Sequence, residues 1–132
     1  MPAVTLPSPG LLRAYRTSRY EAGNISAHVG RRAEGLRPDQ ARVDLILIGA
    51  CNPCGRRFSD GWNLRMMRCL RLVMRHFHFI EATGSLGRWS EPMLMVRIDL
   101  RRAMVVARRF RQNAIIVIST RRTRLIVLKA VV

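Results

Sequence analysis

Acidic residues and lysine are scarce in this chain. Its 132 residues include 8 acidic against 24 basic ones, which gives a formal charge of +16 at neutral pH. Lys129 is the only lysine, so nearly all of the positive charge is arginine. Such a surface attracts polyanions, and arginine suits bidentate phosphate contacts better than lysine does. The composition favours nucleic acid or another polyanion as a partner, although a GC-rich genome would also enrich arginine.

Cysteine and long apolar runs are also scarce. Cys51, Cys54 and Cys69 are too few for a secreted disulfide scaffold, so we expect a reducing, cytoplasmic location. No apolar run approaches the roughly 20 residues of a membrane span, and the first twenty residues lack the pattern of a secretory signal. The length suits one domain with a core. We predict a disordered or extended lead-in over residues 1–10 and a single small α+β domain over residues 11–132.

Hydrophobic periodicity predicts the elements of that domain. They are a short helix (11–20), an edge strand (25–29), a loop with at most one helical turn (30–43), a central strand (43–48), a helix capped by Ser59 or Asp60 (61–75), strands at 76–82 and 93–98, a helix after Asp99, and a hairpin (114–118 and 124–128). Thr83 to Pro92 is predicted to be a glycine-bearing loop. The order β-α-β-β-α-β-β from residue 44 predicts a mixed β-sheet with two covering amphipathic helices, akin to the split βαβ or ferredoxin-like arrangement.

Both long helices place apolar residues on one side and arginines on the other. The predicted inward residues of the first are Met66, Met67, Leu70, Val73 and Met74, and those of the second are Ala103, Val106, Ala107 and Phe110. Six of the outward arginines are candidate anion-binding residues: Arg65, Arg68, Arg71, Arg75, Arg101 and Arg108.

Cys51 and Cys54 form a C-x-x-C sequence after the central strand, which is a context for thiol–disulfide chemistry. Residues 55–61 separate Cys54 from the following helix, so the helix dipole is too distant to activate the thiol. His76 and His78 would share one face of a strand, but a structural zinc needs four ligands. We therefore predict no metal and no cofactor.

Polar residues follow several of the predicted strands and helices. Residues at such positions can converge on a ligand, which makes the following set a candidate binding site: Asn52, Gly55, Asn63, Trp89, Glu91, Gln112 and Asn113. The alternative is that the amides cap the backbone, with Asn52 in an Asx turn, Asn63 in a first helical turn and Asn113 at a helix C′ position. Trp62 and Trp89 would flank the site, where they could stack a base or cover the core.

Several short motifs of this chain also occur in one known family. N-P-x-G at 52–55 follows an apolar strand, G-x-x-G-R-W-S-E-P spans 84–92, and R-R-F-R-Q-N-A spans 108–114. Together with L-L-R-A-Y-R-T-S-R-Y near the start, they resemble the bacterial family DUF3293, a domain of unknown function. The resemblance implies no activity. It implies that Cys51 and Cys54 occupy variable positions, and that an acidic residue is common where this chain has Trp62.

These observations leave three functions open. The first is a non-enzymatic module that binds nucleic acid or another phosphorylated anion through the arginine-bearing helices. The second is a small enzyme or ligand-binding protein that uses Asn52, Asn63, Glu91, Gln112 and Asn113. The third and weakest is a thiol oxidoreductase that uses Cys51 and Cys54.

Overall fold

The computed structural model describes residues 4–5, 7–128 and 130–131. Its strands are β1 (Val4–Thr5), β2 (Arg19–Ala22), β3 (Ile25–Ala27), β4 (Leu45–Ile48), β5 (Phe79–Leu86), β6 (Trp89–Val96), β7 (Ala114–Ile118), β8 (Thr123–Val127) and β9 (Ala130–Val131). Its helices are α1 (Pro9–Thr17), α2 (Pro38–Ala41), α3 (Asp60–Val73) and α4 (Leu100–Arg109). The chain is thus an α+β protein, as predicted.

Seven strands form one sheet in the order β3-β2-β5-β6-β4-β7-β8, and β1 pairs separately with β9. Every strand pairing in the described residues is antiparallel, so the prediction of a mixed sheet was wrong. Strands β4 and β5 flank β6 and therefore run parallel to each other without touching, which makes β4–α3–β5 a split βαβ unit. Strands β6 and β7 flank β4 in the same way. A mixed sheet would need the two strands joined by a helical crossover to be parallel neighbours. Each crossover instead skips one strand: β6 lies between β4 and β5, and β4 lies between β6 and β7.

The sheet has a different layer on each face. Ile46, Leu94 and Val117 face one side and pack against α3 and α4. Leu47, Met95 and Ile116 face the other side, where the sheet curls over its own core. The curl brings the segment after β3 to the start of β8, with two hydrogen bonds: Gly30 N–H to Thr123 O at 2.8 Å and Thr123 N–H to Arg31 O at 2.7 Å. The molecule therefore has a helix-covered face and a concave face.

The two long helices begin where their side-chain caps predict. Ser59 Oγ accepts from Trp62 N–H at the start of α3, and Asp99 Oδ2 accepts from Arg102 N–H at the start of α4. These bonds satisfy amides that have no partner within a helix. Of the predicted inward residues of α3, Met67, Leu70 and Met74 are buried and Met66 is partly buried, whereas Val73 is 37% exposed. The placement of Val73 on the buried face was wrong, because the stripe that is buried runs through Met67, Leu70 and Met74 and Val73 lies to one side of it.

The segment from Thr83 to Pro92 is a β-hairpin and not the predicted loop. Strands β5 and β6 pair through eight positions, from Phe79 with Val96 to Leu86 with Trp89. The turn between them needs only Gly87 and Arg88, and Gly87 has a left-handed φ of +59°. Glycine and proline in this segment suggested breaks in structure, but the long cross-strand pairing outweighs their weak strand propensity. His76 and His78 precede β5, so they are not a pair on one strand as predicted.

The N-terminal part also differs from the prediction. Helix α1 starts at Pro9, with Ser8 Oγ accepting from Leu11 N–H, and it ends at Thr17. Tyr20 therefore lies in β2, which the sequence pattern missed. The predicted lead-in falls partly on residues 1–3 and 6, outside the described residues, and Val4–Thr5 form β1. The division into a lead-in and a single domain stays a prediction.

Candidate functional site

A cavity of about 280 Å³ lies between α1 and the concave face of the sheet. Helix α1 closes it from above, β2, β5 and β6 form one wall, and the loop after β4 and the segment before β7 form the other. Most of the lining is apolar, with a few polar groups among the following residues: Leu11, Ala14, Tyr15, Ser18, Tyr20, Gly49, Asn52, Gly55, Leu86, Trp89, Glu91, Met93, Gln112, Asn113, Ala114 and Ile116.

Two lining residues, Tyr20 and Glu91, belong to one row of paired residues across three strands. Tyr20 on β2 lies opposite Gly84 on β5, and Gly84 lies opposite Glu91 on β6. A Cβ atom at Gly84 would lie 3.2 Å from Tyr20 Cε1 and 3.3 Å from Met93 Sδ. The missing side chain at Gly84 therefore leaves room for the Tyr20 ring. The Tyr20 hydroxyl donates to Tyr15 O at 2.8 Å and ties α1 to the sheet.

Two asparagines hold the loop that follows β4. Asn52 has a left-handed φ of +47°, a conformation that asparagine tolerates better than most residues. Its backbone N–H donates to Asn63 Oδ1 at 2.9 Å, and Asn63 Nδ2 donates back to Asn52 Oδ1 at 3.0 Å. Asn52 Oδ1 also accepts from Phe58 N–H at 2.9 Å. This reciprocal pair, the asparagine clasp, fixes the loop to the first turn of α3.

The segment before β7, which completes the same wall, contributes Gln112 and Asn113. Gln112 Nε2 donates to Cys51 O and to Phe110 O, each at 3.1 Å, so its amide joins the end of α4 to the loop after β4. Asn113 is buried, and its Nδ2 lies 3.5 Å from the Tyr15 hydroxyl. The alternative interpretation of Asn113 as the C′ residue of α4 was wrong, because Arg111 takes that position in the left-handed conformation with φ +53°.

Among the described residues that line the cavity, Glu91 is the only charged one. Burial raises its pKa from 4.5 to about 7, because the surroundings solvate a carboxylate poorly. Burial also raises the pKa of Tyr15 and Tyr20, so both phenols are neutral at physiological pH. In the described part of the chain, Glu91 forms no salt bridge. A carboxyl that titrates near pH 7 in a cleft is a feature of functional sites.

Six of the seven predicted ligand-binding residues line this cavity: Asn52, Gly55, Trp89, Glu91, Gln112 and Asn113. The seventh, Asn63, lies behind Asn52 in the asparagine clasp. Whether they bind a ligand stays a prediction. The sequence pattern missed Tyr15 and Tyr20, because the contact of α1 with the sheet depends on the unpredicted strand β2.

Of the two tryptophans predicted to flank the site, only Trp89 lines the cavity. Trp89 is at the cavity mouth, 43% exposed, whereas Trp62 packs its ring 5.3 Å from that of Phe58 and does not line the cavity. A second hollow of about 460 Å³ lies beside α2, and none of the predicted site residues lines it.

Cys51 has the surroundings of an inert thiol. It is 2% exposed, and burial raises its pKa to about 12, whereas a reactive cysteine needs a lowered pKa and access to solvent. The side chain of Cys54 lies outside the described residues. No group of three or more histidine, cysteine, aspartate or glutamate residues that could hold a metal ion occurs among the residues described.

The candidate anion-binding arginines lie on α3 and α4, on the outer side of the helix layer. Arg65, Arg68 and Arg75 are exposed on α3, or just beyond its end, and Arg101 and Arg108 are exposed on α4. Arg71 differs from them, because its Nε donates to Glu81 Oε1 at 2.6 Å and this bond raises its pKa. Its charge is therefore already balanced.

Comparisons with known proteins give one family. No curated protein and no solved structure matches the chain. None of the helices described is long and apolar enough to cross a membrane. The family described as "Protein of unknown function (DUF3293)" matches residues 48–115, slightly more than half of the chain, including all the cavity residues from Gly49 to Ala114. The chain therefore belongs to the DUF3293 family, as its motifs predicted.

Proposed function

We propose that this protein binds a small, mainly apolar molecule in the cavity between α1 and the concave face of the sheet. The observation that carries the proposal is the convergence of Asn52, Glu91, Gln112 and Asn113 on one apolar hollow from three separate parts of the chain. Apolar walls with a few fixed polar groups are typical of small-molecule sites. The volume of about 280 Å³ is near the lower end of the usual range, so the ligand is small.

The bonding of the polar residues supports a rigid cavity. The asparagine clasp fixes the loop that carries Asn52, and Gln112 bridges this loop to α4. The Tyr20 hydroxyl fixes α1 over the opening. A cavity that is already formed binds its ligand without the cost of ordering loops.

A fragment screen by thermal shift and protein NMR tests this proposal. Ala14→Phe should fill the cavity from α1, whereas Arg16→Phe puts the same side chain on the exposed side of that helix. Fragments that bind the unmodified protein should also bind the Arg16→Phe variant and fail to bind the Ala14→Phe variant. If the fragments bind all three proteins equally, or if none binds, the proposal is wrong.

A second candidate function is the binding of a polyanion, nucleic acid first, to the outer side of α3 and α4. It is supported by the exposure of Arg65, Arg68, Arg75, Arg101 and Arg108 on one helix layer and by the charge of +16. Arginine contacts to phosphate release counterions, so the affinity should fall steeply as salt rises.

Two variants with equal net charge separate a specific surface from general attraction. The first variant replaces Arg65, Arg68 and Arg75 by glutamine. The second replaces three other exposed arginines by glutamine: Arg32, Arg121 and Arg122. With a short fluorescent DNA duplex, the first variant should bind more weakly and with a reduced salt slope, and the second should resemble the unmodified protein. Equal losses of affinity in the two variants would show attraction by net charge alone. An affinity that does not change with salt would refute this function.

A further inference from the structure

We infer that the ligand of the cavity is an organic cation, an amine on a small apolar body, and that its ammonium group pairs with Glu91. This inference rests on the proposed function, because it names the chemical class of the molecule that the cavity holds. It also assigns Glu91 as the residue that selects this class.

The charge of the lining carries the inference. Basic residues outnumber acidic ones three to one in the chain. Nevertheless, the lining residues that the structure describes include no lysine, arginine or histidine, and the one charged residue among them is a glutamate. An anionic ligand would find no counter-charge there and would face Glu91. A cationic ligand would meet an opposite charge in partly desolvated surroundings, where such a pair interacts more strongly than in water.

The hydrogen-bonding groups of the lining favour the same class. Four of its donor groups already have acceptors or lie near one: the amide nitrogens of Gln112 and Asn113 and the hydroxyls of Ser18 and Tyr20. The Gln112 Oε1 and the Glu91 carboxyl oxygens, by contrast, accept no hydrogen bond from the residues that the structure describes. A Cβ atom built at Gly49, which lines the cavity, would lie 3.3 Å from Gln112 Oε1, so this oxygen faces the hollow. An ammonium group has three donors and no acceptor, which matches a site with free oxygens.

Aromatic rings complete the fit. Trp89 at the mouth, Tyr15 on α1 and Tyr20 on β2 all line the cavity. The faces of such rings attract cations, and tryptophan does so best. The apolar side chains of Leu11, Met93 and Ile116 provide the contact surface for the body of the ligand.

The titration of Glu91 adds a property that can be measured. The other titratable groups near it are Tyr15 from α1, Tyr20 from β2 and Cys51 from the loop after β4, and all three are neutral near pH 7 because burial raises their pKa. Binding of a cation requires the ionised carboxylate, so it should release a proton wherever Glu91 is protonated. From a pKa of about 7, the ionised fraction rises about tenfold between about pH 6 and about pH 8.

The long-range field of the protein opposes a cation but does not decide the result. Six arginines adjoin lining residues in the sequence, and all six are exposed: Arg13, Arg16, Arg19, Arg56, Arg88 and Arg111. At physiological ionic strength the Debye length is about 8 Å, so solvent and salt weaken the repulsion between these exposed charges and a cation. Binding is therefore measured at about physiological salt.

Isothermal titration calorimetry with three probes of one shape tests the inference: 2-phenylethylamine, the neutral 2-phenylethanol and the anionic phenylacetate. The amine should bind tightest, with an affinity about tenfold higher at about pH 8 than at about pH 6. Glu91→Gln should abolish this pH dependence and lower the affinity for the amine about tenfold or more, while the affinity for the alcohol is unchanged. Glu81→Gln removes the same charge from an exposed site on β5, and it should change neither the affinity for the amine nor the pH dependence of that affinity.

The outcomes separate this inference from the proposed function. If the alcohol or phenylacetate binds as tightly as the amine, and Ala14→Phe blocks that binding, the cavity is a ligand site but the inference that it selects cations is wrong. If the amine binds Glu91→Gln as well as the unmodified protein, Glu91 does not select the ligand. If none of the three probes binds, the inference is overturned, and the fragment screen with Ala14→Phe decides the cavity independently.

Discussion

The asparagine clasp should contribute strongly to stability, and Asn63→Ala tests this contribution. The substitution removes both bonds between Asn63 and Asn52, and the loss of the bond from Asn63 Nδ2 to Asn52 Oδ1 costs about 1 kcal/mol net. It also leaves the part-buried N–H of Asn52 without its partner, which costs about 1–3 kcal/mol. The left-handed Asn52 then loses the contact that holds it there. We expect the free energy of unfolding to fall by about 2–4 kcal/mol.

Urea denaturation measures this loss, and Arg68→Ala on the exposed side of α3 is the control, with an expected change within about 0.5 kcal/mol. A double-mutant cycle with Asn52→Ala should show a coupling of about 1 kcal/mol, because both single variants remove the bond between Asn63 Nδ2 and Asn52 Oδ1. If Asn63→Ala is as stable as the control, or if the two losses add without coupling, the clasp does not hold the loop.

Two further substitutions and one labelling experiment give direct tests. Glu91→Gln should stabilise the protein above about pH 7 and lose this advantage below about pH 4.5: the raised pKa means that ionisation disfavours the folded state, by at most about 3 kcal/mol. A melting curve series across pH that shows the opposite sign would refute the burial of this carboxyl. Gly55→Ala should cost about 1–3 kcal/mol in urea denaturation, because Gly55 has φ +73° and a Cβ would lie 2.7 Å from Leu11 Cδ2 and 2.8 Å from Asn113 Nδ2. An unchanged midpoint would mean that the loop moves freely away from α1. Cys51 should resist iodoacetamide in the folded protein and react after unfolding, as peptide mapping by mass spectrometry would show, because its thiol is buried and its pKa is raised to about 12. Rapid labelling in the folded state would revive the thiol hypothesis.

Local patterns in the sequence predicted the central strand, both long helices and the final hairpin. Each of them combines a regular apolar period with a clear cap or turn, as Ser59 and Asp99 show. The polar residues of the cavity were also within reach of sequence reasoning. Asn52 follows β4 and Gln112 follows α4, and such positions gather at the edges of a sheet. Glu91 instead lies within β6, because the strand begins earlier than predicted.

The rest of the site depends on contacts between distant parts of the chain. Tyr20 continues the apolar spacing of α1, so the local pattern assigned it to the helix, but pairing with β5 makes it part of a strand. Gly84 looked like a chain breaker, yet it pairs on both sides within β5, and the Tyr20 ring occupies the space that its side chain would take. Neither residue carries a local signal for its role, since each role exists only when the two strands meet.

The fold also explains how one very basic chain can contain an acidic cavity. Strands β4, β6 and β7 have the arginine-bearing helices α3 and α4 on one face and the cavity on the other. The sheet therefore separates the exposed arginines of α3 and α4 from the cavity, and exposed charges farther apart than about 8 Å are largely screened at physiological salt. The one arginine of α3 that is turned toward the sheet, Arg71, is paired with Glu81. The two surfaces can therefore attract opposite charges, so the polyanion function and the cation site are independent hypotheses, and the loss of one leaves the other standing.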